Sequence, residues 1–184
     1  MIYVIDHEDS FTYNLVHLLE GFAPTYVSNY YDINWHQLEK SKIIIFSPGP
    51  GNPSHYPETQ KVYKKYKGDK KIIGICLGFQ QILYAENADI VPQKKIYHGY
   101  QSKIKTLKES ALFKPNKVFL AGRYHSLKLK EPFNSSSLKI TMRCVESNVA
   151  MAIEDTINNV YGFQFHPDSF LTVDGKFLIQ KVLQ

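Results

Sequence analysis

The sequence predicts an α/β fold with a mostly parallel central sheet and additional antiparallel strands in its second half. Short β-branched runs alternate with helix-period segments through the first half, the pattern of parallel strands joined by helical crossovers. Ile43-Ile-Ile-Phe46 is apolar without interruption, as a strand covered on both faces must be. Beyond Ala88 the texture changes to short alternating segments that read as hairpins rather than further βαβ units.

In chain order, Ile2–Ile5 opens as a strand. Asp9 or Ser10 can cap a helix that runs to about Glu20, with Phe11, Leu15, Leu18 and Leu19 on its inner side and Gly21 as its stop. Thr25–Ser28 is the next strand and Ile43–Phe46 the third. Ser47-Pro-Gly-Pro-Gly-Asn-Pro53 forces a loop, because its prolines lack backbone donors and its glycines permit conformations closed to other residues. A helix over about Glu58–Lys67 follows, then the strand Lys71–Ile75. The next helix ends near Asn87, since asparagine tolerates the left-handed conformation that closes helices. Lys117–Leu120, Leu138–Cys144, Val149–Glu154 and Val160–Phe165 read as strands, and Gly175–Gln184 as a closing helix.

With 184 residues, 43% of them hydrophobic, the chain fits a single domain over 1–184 with a sizeable core. No segment is long and apolar enough to span a bilayer, and Ile2–Ile5 before Asp6 is too short for a signal-peptide core, so the expectation is a cytoplasmic protein. Two cysteines make no disulfide framework, and a reducing compartment suits a reactive thiol; Cys144, in a strand-like run, reads as a small buried hydrophobe. The formal charge is +5, with Lys61, Lys64, Lys65, Lys67, Lys70 and Lys71 clustered. Most fall on one amphipathic helix and its exit turn, where a solvated lysine face is the ordinary reading, and no nucleic-acid motif accompanies them. The seven histidines lack metal-ligand spacing.

The chemistry concentrates where the strand Lys71–Ile75 becomes a helix. Gly74 and Gly78 flank Cys76 in a G-x-C-x-G arrangement that parallels the serine elbow of α/β-hydrolases. A tight turn there projects the sulfur out of the sheet, beside free helix N–H groups that favour a thiolate or an oxyanion. A thiol needs a base. His166-Pro-Asp168 supplies one at the end of the last predicted strand, with Asp168 placed to orient the imidazole and stabilise its cation. Alone, Cys76 reads as a core thiol and His166 as a satisfied loop histidine; together with Asp168 they read as nucleophile, base and orienter.

These residues resemble the class I glutamine amidotransferases, whose Cys-His-acid triad sits on a flavodoxin-like three-layer fold. The likeness covers nearly the whole chain. It runs through Asp6-His-Glu-Asp-Ser-Phe-Thr-Tyr-Asn14, Ser47–Pro53, Gly74-Ile-Cys-Leu-Gly-Phe-Gln80, Tyr97-His-Gly99, Arg123-Tyr-His-Ser-Leu127 and Gly162-Phe-Gln-Phe-His-Pro-Asp-Ser169. The D-S-F-T-Y-N element resembles the subfamily that serves chorismate-using enzymes, the small subunits (component II) of anthranilate synthase, in tryptophan biosynthesis, and of aminodeoxychorismate (para-aminobenzoate) synthase, in folate biosynthesis. The resemblance implies that Cys76 forms a γ-glutamyl thioester with L-glutamine and releases ammonia, with His166 shuttling protons and Asp168 orienting it. It also implies an oxyanion site at the Leu77 N–H and at Gly49 or Gly51, since Pro50 has no N–H, and glutamine contacts at Gln80, Ser126 and Leu127. His125 and His98 lie outside the triad motif and read as structural or partner-facing. The implied partner is a large chorismate-binding subunit, which would hold Mg²⁺; no cofactor or metal is expected in this chain.

Two positions depart from the family pattern. Phe79 stands where histidine is usual, expected to alter packing or polarity beside the nucleophile, and Asp168 stands where glutamate is usual, one methylene longer. Other thiol hydrolases on similar sheets, a γ-glutamyl hydrolase or a peptidase, and a non-catalytic regulatory subunit are the competing readings. The D-S-F-T-Y-N and S-P-G-P-G elements argue against a different hydrolase.

Overall fold

The computed structural model describes residues 1–184. Its first half runs β1 (Ile2–Asp6), α1 (Thr12–Glu20), β2 (Thr25–Asn29), α2 (Trp35–Lys40), β3 (Ile43–Phe46), α3 (Pro57–Tyr66), β4 (Lys71–Ile75) and α4 (Leu77–Ala85). The second half adds β5 (Ile90–Pro92), β6 (Tyr100–Thr106), β7 (Val118–Arg123), β8 (Leu127–Leu129), β9 (Lys139–Cys144), β10 (Ala150–Asp155), β11 (Val160–Phe163) and α5 (Gly175–Leu183).

Nine strands form one sheet in the order β2-β1-β3-β4-β11-β10-β9-β6-β7, and β5 pairs with β8 in a separate two-stranded sheet. The pairings from β2 to β11 are parallel, and those from β11 to β7 antiparallel. The change of texture near Ala88 thus marks a real change of architecture. Parallel neighbours need a crossover, and α1, α2 and α3 supply them; antiparallel neighbours can be joined by turns. Leu15 and Leu19 of α1 and Leu178, Ile179 and Val182 of α5 pack on one face of the sheet. Leu38 of α2, Val62, Tyr63 and Tyr66 of α3, and Phe79, Ile82 and Leu83 of α4 cover the other. Burial on both faces is why Ile43–Phe46 and Lys71–Ile75 carry almost no polar residue.

Several boundaries differ from expectation. α1 begins at Thr12, not beside Ser10, and no side chain caps it. The two aspartates cap the preceding turn instead: Asp6 Oδ1 accepts from the Glu8 N–H and the Thr12 hydroxyl, and Asp9 Oδ1 from the Phe11 N–H. β7 extends past Leu120 to Arg123 because it pairs along its length with β6, a strand the sequence pattern leaves unassigned. α2 and the small β5–β8 sheet were likewise not expected from the pattern. Beyond Phe163 the chain changes partners: the Gln164 N–H still reaches Met151 O of β10, but the His166 N–H reaches Gly122 O of β7. Asn87 adopts φ 61° just beyond α4, the left-handed closure expected of it.

The lysine cluster is largely paired. Lys61 bonds Glu58, Lys65 bonds Glu39, and Lys67 bonds Glu86, each at 2.6 Å, while Lys70 Nζ donates to the carbonyls of Glu39 and Ser41. No helix is long and apolar enough to cross a membrane.

Candidate active site

Two interlocked glycines create the elbow. A Cβ on Gly74 would stand 2.3 Å from the Gly78 carbonyl, and one on Gly78 would stand 2.1 Å from the Phe46 oxygen. The first turn of α4 therefore lies directly on the ends of β3 and β4, closer than any side chain permits. The chain makes this turn at Cys76, with φ 53° and ψ −99°. A non-glycine residue held in such a conformation costs about 1–3 kcal/mol and persists only where its surroundings impose it. Here its N–H donates to Phe163 O at 2.8 Å and its carbonyl accepts from Gln80 N at 3.2 Å. The thiol is thereby set at the carboxyl edge of the sheet, 7% exposed, beside first-turn N–H groups that have no intrahelical acceptor.

The proline-glycine loop is pinned beside that turn by a buried histidine. The His7 N–H donates to Ser47 Oγ at 2.9 Å, and its Nε2 meets Thr59 Oγ1 at 2.9 Å. Burial drives the His7 pKa down to about 3 against the opposing bond from Ser47, so the ring is neutral. A Cβ on Gly49 would sit 2.5 Å from both His7 Cβ and Leu77 Cδ2. Gly49 and Leu77 are thus brought into contact. Gly51, at φ +77°, lies further out and is exposed.

β4 and β11 are neighbours with Ile75 opposite Phe163, so the segments that leave them, Cys76 and Gln164–Asp168, emerge together. The His166 N–H donates to Gly122 O at 3.0 Å and its carbonyl accepts from Thr172 Oγ1 at 2.7 Å. Phe11 and Tyr124 each pack edgewise on its ring, with centroids 4.9 Å away. Nδ1 lies 3.6 Å from Asp168 Oδ1, and neither ring nitrogen nor either carboxylate oxygen closes a hydrogen bond. Such bonds often tighten only when substrate binds. Burial disfavours the charged ring, but the charge of Cys76, followed by the nearby Asp168 carboxylate, outweighs it and raises the His166 pKa to about 10. Thiol, imidazole and carboxylate, some 90 residues apart in sequence, share one buried cluster suited to a thiolate-imidazolium pair.

Gln80 is 3% exposed, and its Nε2 donates to Gln164 Oε1 at 3.1 Å. Gln164 was missed by sequence reasoning, yet its Nε2 lies 3.5 Å from Cys76 O and 3.8 Å from Cys76 Sγ. A buried amide between Phe163 and Phe165 was the available signal. Phe11 and Tyr124 were also missed as neighbours of His166, because aromatic residues in amphipathic segments read as core. Ser126 is exposed and Leu127 half-buried, two and three residues beyond Tyr124. His125 is buried and bonded within the protein, and His98 is exposed.

Of the two effects expected of Phe79, packing is the one the structure describes. It is fully buried among Phe46, Tyr63, Ile82 and Leu83, in the hydrophobic cluster on the sheet face opposite the one that includes Cys76. Its ring packs the helix onto the sheet.

A cysteine elbow beside a buried histidine-carboxylate pair, on a half-parallel sheet covered by helices on both faces, defines an α/β protein with a candidate thiol site. Residues 3–184 match the model of the "Glutamine amidotransferase class-I" family, and the chain belongs to it. Over 183 residues it is 36% identical to anthranilate synthase component 2 of Lactococcus lactis, covering 98% of this chain and 92% of that one. It is 40% identical over 191 residues to anthranilate synthase component 2 of Pyropia yezoensis, covering 100% and 99%. A solved glutamine amidotransferase from Thermotoga maritima shares the fold, with a TM-score of 0.76 at 14% identity over 99% of this chain and 95% of that one.

Proposed function

We propose that this chain is the glutamine-hydrolysing, ammonia-supplying subunit of anthranilate synthase. The strained Cys76 elbow, with His166 beside it, is the observation that carries the reading; the names of the relatives supply the synthase. The Cys76 thiolate attacks the side-chain carboxamide carbon of L-glutamine. The tetrahedral oxyanion is met by the Leu77 N–H and by one from Gly49 or Gly51, stabilisation typically worth about 3–4 kcal/mol per donor. The His166 imidazolium gives its proton to the leaving nitrogen, and ammonia departs from a γ-glutamyl thioester. His166, now neutral, takes a proton from water; the hydroxide attacks the thioester, and glutamate and the thiolate are restored. Asp168 holds the ring through Nδ1. Gln80, Ser126 and Leu127 bind the amino and carboxylate ends of the substrate.

Ammonia is mostly protonated in neutral water and would escape, so it passes to a large subunit that binds chorismate and Mg²⁺ in a sheltered site. This chain itself uses no cofactor and works in the cytoplasm.

The test is reconstitution with an anthranilate synthase large subunit. Cys76→Ala abolishes glutamine-dependent product while activity with ammonium salts persists. Glutamine-dependent product that survives Cys76→Ala refutes the thiol mechanism; an aminodeoxychorismate product, or peptide cleavage in preference to glutamate release, reassigns the enzyme.

A further inference from the structure

Arg123 is 0% exposed, yet no carboxylate pairs with it. A lone charge so far from water is costly unless its donors are used. Nε donates to His125 Nε2 at 3.1 Å, Nη1 to Ser102 Oγ at 3.3 Å and Cys144 Sγ at 3.4 Å, and Nη2 to Gln93 Oε1 at 3.4 Å. The guanidinium carbon stands 3.5 Å from the centroid of the Tyr97 ring, a cation–π contact.

One of these bonds dictates a protonation site. The Arg123 Nε–H can only donate, so His125 Nε2 must accept, and the proton of the neutral ring is confined to Nδ1. His125 Nδ1 then donates to Leu127 O at 2.7 Å. Gln93 fixes the two preceding carbonyls: its side-chain Nε2 donates to His125 O at 2.5 Å and its backbone N–H to Ser126 O at 2.9 Å. In a trans peptide the N–H points away from the carbonyl it shares. The N–H groups of Ser126 and Leu127 are therefore turned away from the Gln93 side, and neither the N–H nor the hydroxyl of Ser126 finds an acceptor in the protein.

We infer that Arg123 and His125 are positioning residues that set the backbone of Ser126–Leu127 to receive the charged ends of the substrate. This rests on the reading of those two residues as glutamine contacts. Burial and the neighbouring Arg123 charge hold the His125 pKa down to about 3, so the ring keeps this role across the neutral range. Neither residue touches the reacting atoms, so the effect of losing them falls on substrate affinity and not on the thiol.

The experiment uses the complex with its large subunit and measures glutamine hydrolysis, Cys76 alkylation by iodoacetamide, and imidazole ¹⁵N shifts. Wild-type His125 shows the Nδ1–H form. Arg123→Gln and His125→Phe raise KM for glutamine about 10- to 100-fold, with kcat and the alkylation rate within about threefold of wild type. His125→Asn restores KM, because its Nδ2 lies near the position of Nδ1 and can donate to Leu127 O. Should Arg123→Gln fail to fold, the His125 pair and the wild-type tautomer decide. An unchanged KM in His125→Phe, a loss confined to kcat, or a wild-type Nε2–H tautomer overturns the inference alone. A wild-type complex that hydrolyses no glutamine overturns the underlying reading and the inference with it.

Discussion

Gly78→Ala isolates the contact that shapes the elbow. Its Cβ would fall 2.1 Å from the Phe46 oxygen and 2.7 Å from the Phe46 carbonyl carbon. The oxygen contact is about 1.3 Å short of ordinary van der Waals distance, and both atoms belong to β3 backbone with no flexible end to swing aside. Helix α4 must lift from the sheet by roughly that amount. Overpacking of this kind costs about 1–3 kcal/mol. In a chain of this length each kcal/mol moves the melting temperature by about 2–4 °C, so the expected loss is about 2–12 °C. The same lift displaces the Leu77 N–H relative to Cys76, and a misplacement near 1 Å can cost about 100-fold in rate. The expected outcome is a folded protein with glutamine turnover down about 100-fold, measured as glutamate release beside thermal unfolding. Gly21→Ala is the control, since Gly21 has φ −64° and its added Cβ would lie 3.3 Å from Leu18 O. If Gly78→Ala melted within about 1 °C of wild type and kept turnover within about threefold, the close approach of α4 to β3 would not be what sets the nucleophile.

Other perturbations probe separate parts of the structure. Asp168→Asn should lower kcat by about 10²- to 10⁴-fold while circular dichroism stays native, because an amide cannot stabilise the imidazolium; undiminished kcat would remove Asp168 from the mechanism. Phe79→His should lower the urea midpoint by the equivalent of about 1–3 kcal/mol by burying an unpartnered imidazole, and faster glutamine hydrolysis from that variant would show that the position faces the reaction after all. The pH dependence of stability follows from His7, whose folded pKa is about 3 against 6.5 in the unfolded chain. Between those values the unfolded chain binds the extra proton, so this contribution is full above pH 6.5 and is lost as pH falls toward 3. His7→Gln should flatten the acid limb by up to about 1.4 kcal/mol per pH unit in urea titrations, and an unaltered slope would mean that His7 is not held neutral.

The parallel half of the fold was legible because each strand there is a short apolar run fenced by glycine, proline or a helix cap. Ile43–Phe46 and Lys71–Ile75 were read to the residue. The antiparallel half was blurred for a physical reason: β6, Tyr-Gln-Ser-Lys-Ile-Lys-Thr, buries only Ser102, Ile104 and Thr106, so the face it turns inward carries two hydroxyls and one apolar side chain. Its pairing partners, not its composition, make it a strand. The proximity of Cys76, His166 and Asp168 was legible from local motifs, since each motif encodes its own turn. Gln164, Phe11 and Tyr124 were not, because their part in the site depends on which strand ends the topology brings side by side. The direction in which Phe79 packs was hidden for the converse reason. Adjacency in sequence to Cys76 suggested adjacency in space, whereas Cys76 sits in the turn before α4 and Phe79 lies on the side of α4 that packs onto the sheet.

The placement of β11 in the middle of the sheet, between β4 and β10, bears on how the protein is made. This strand follows every other strand of the sheet in the chain, yet it is the wall against which the cysteine turn is braced, and the segment that leaves it carries His166. A nascent chain halted before Val160 would carry a complete Gly-Ile-Cys-Leu-Gly sequence with an open sheet edge and no proton acceptor. The thiol and the imidazole are thereby brought together only once synthesis has passed His166, and a shorter nascent chain presents the thiol alone.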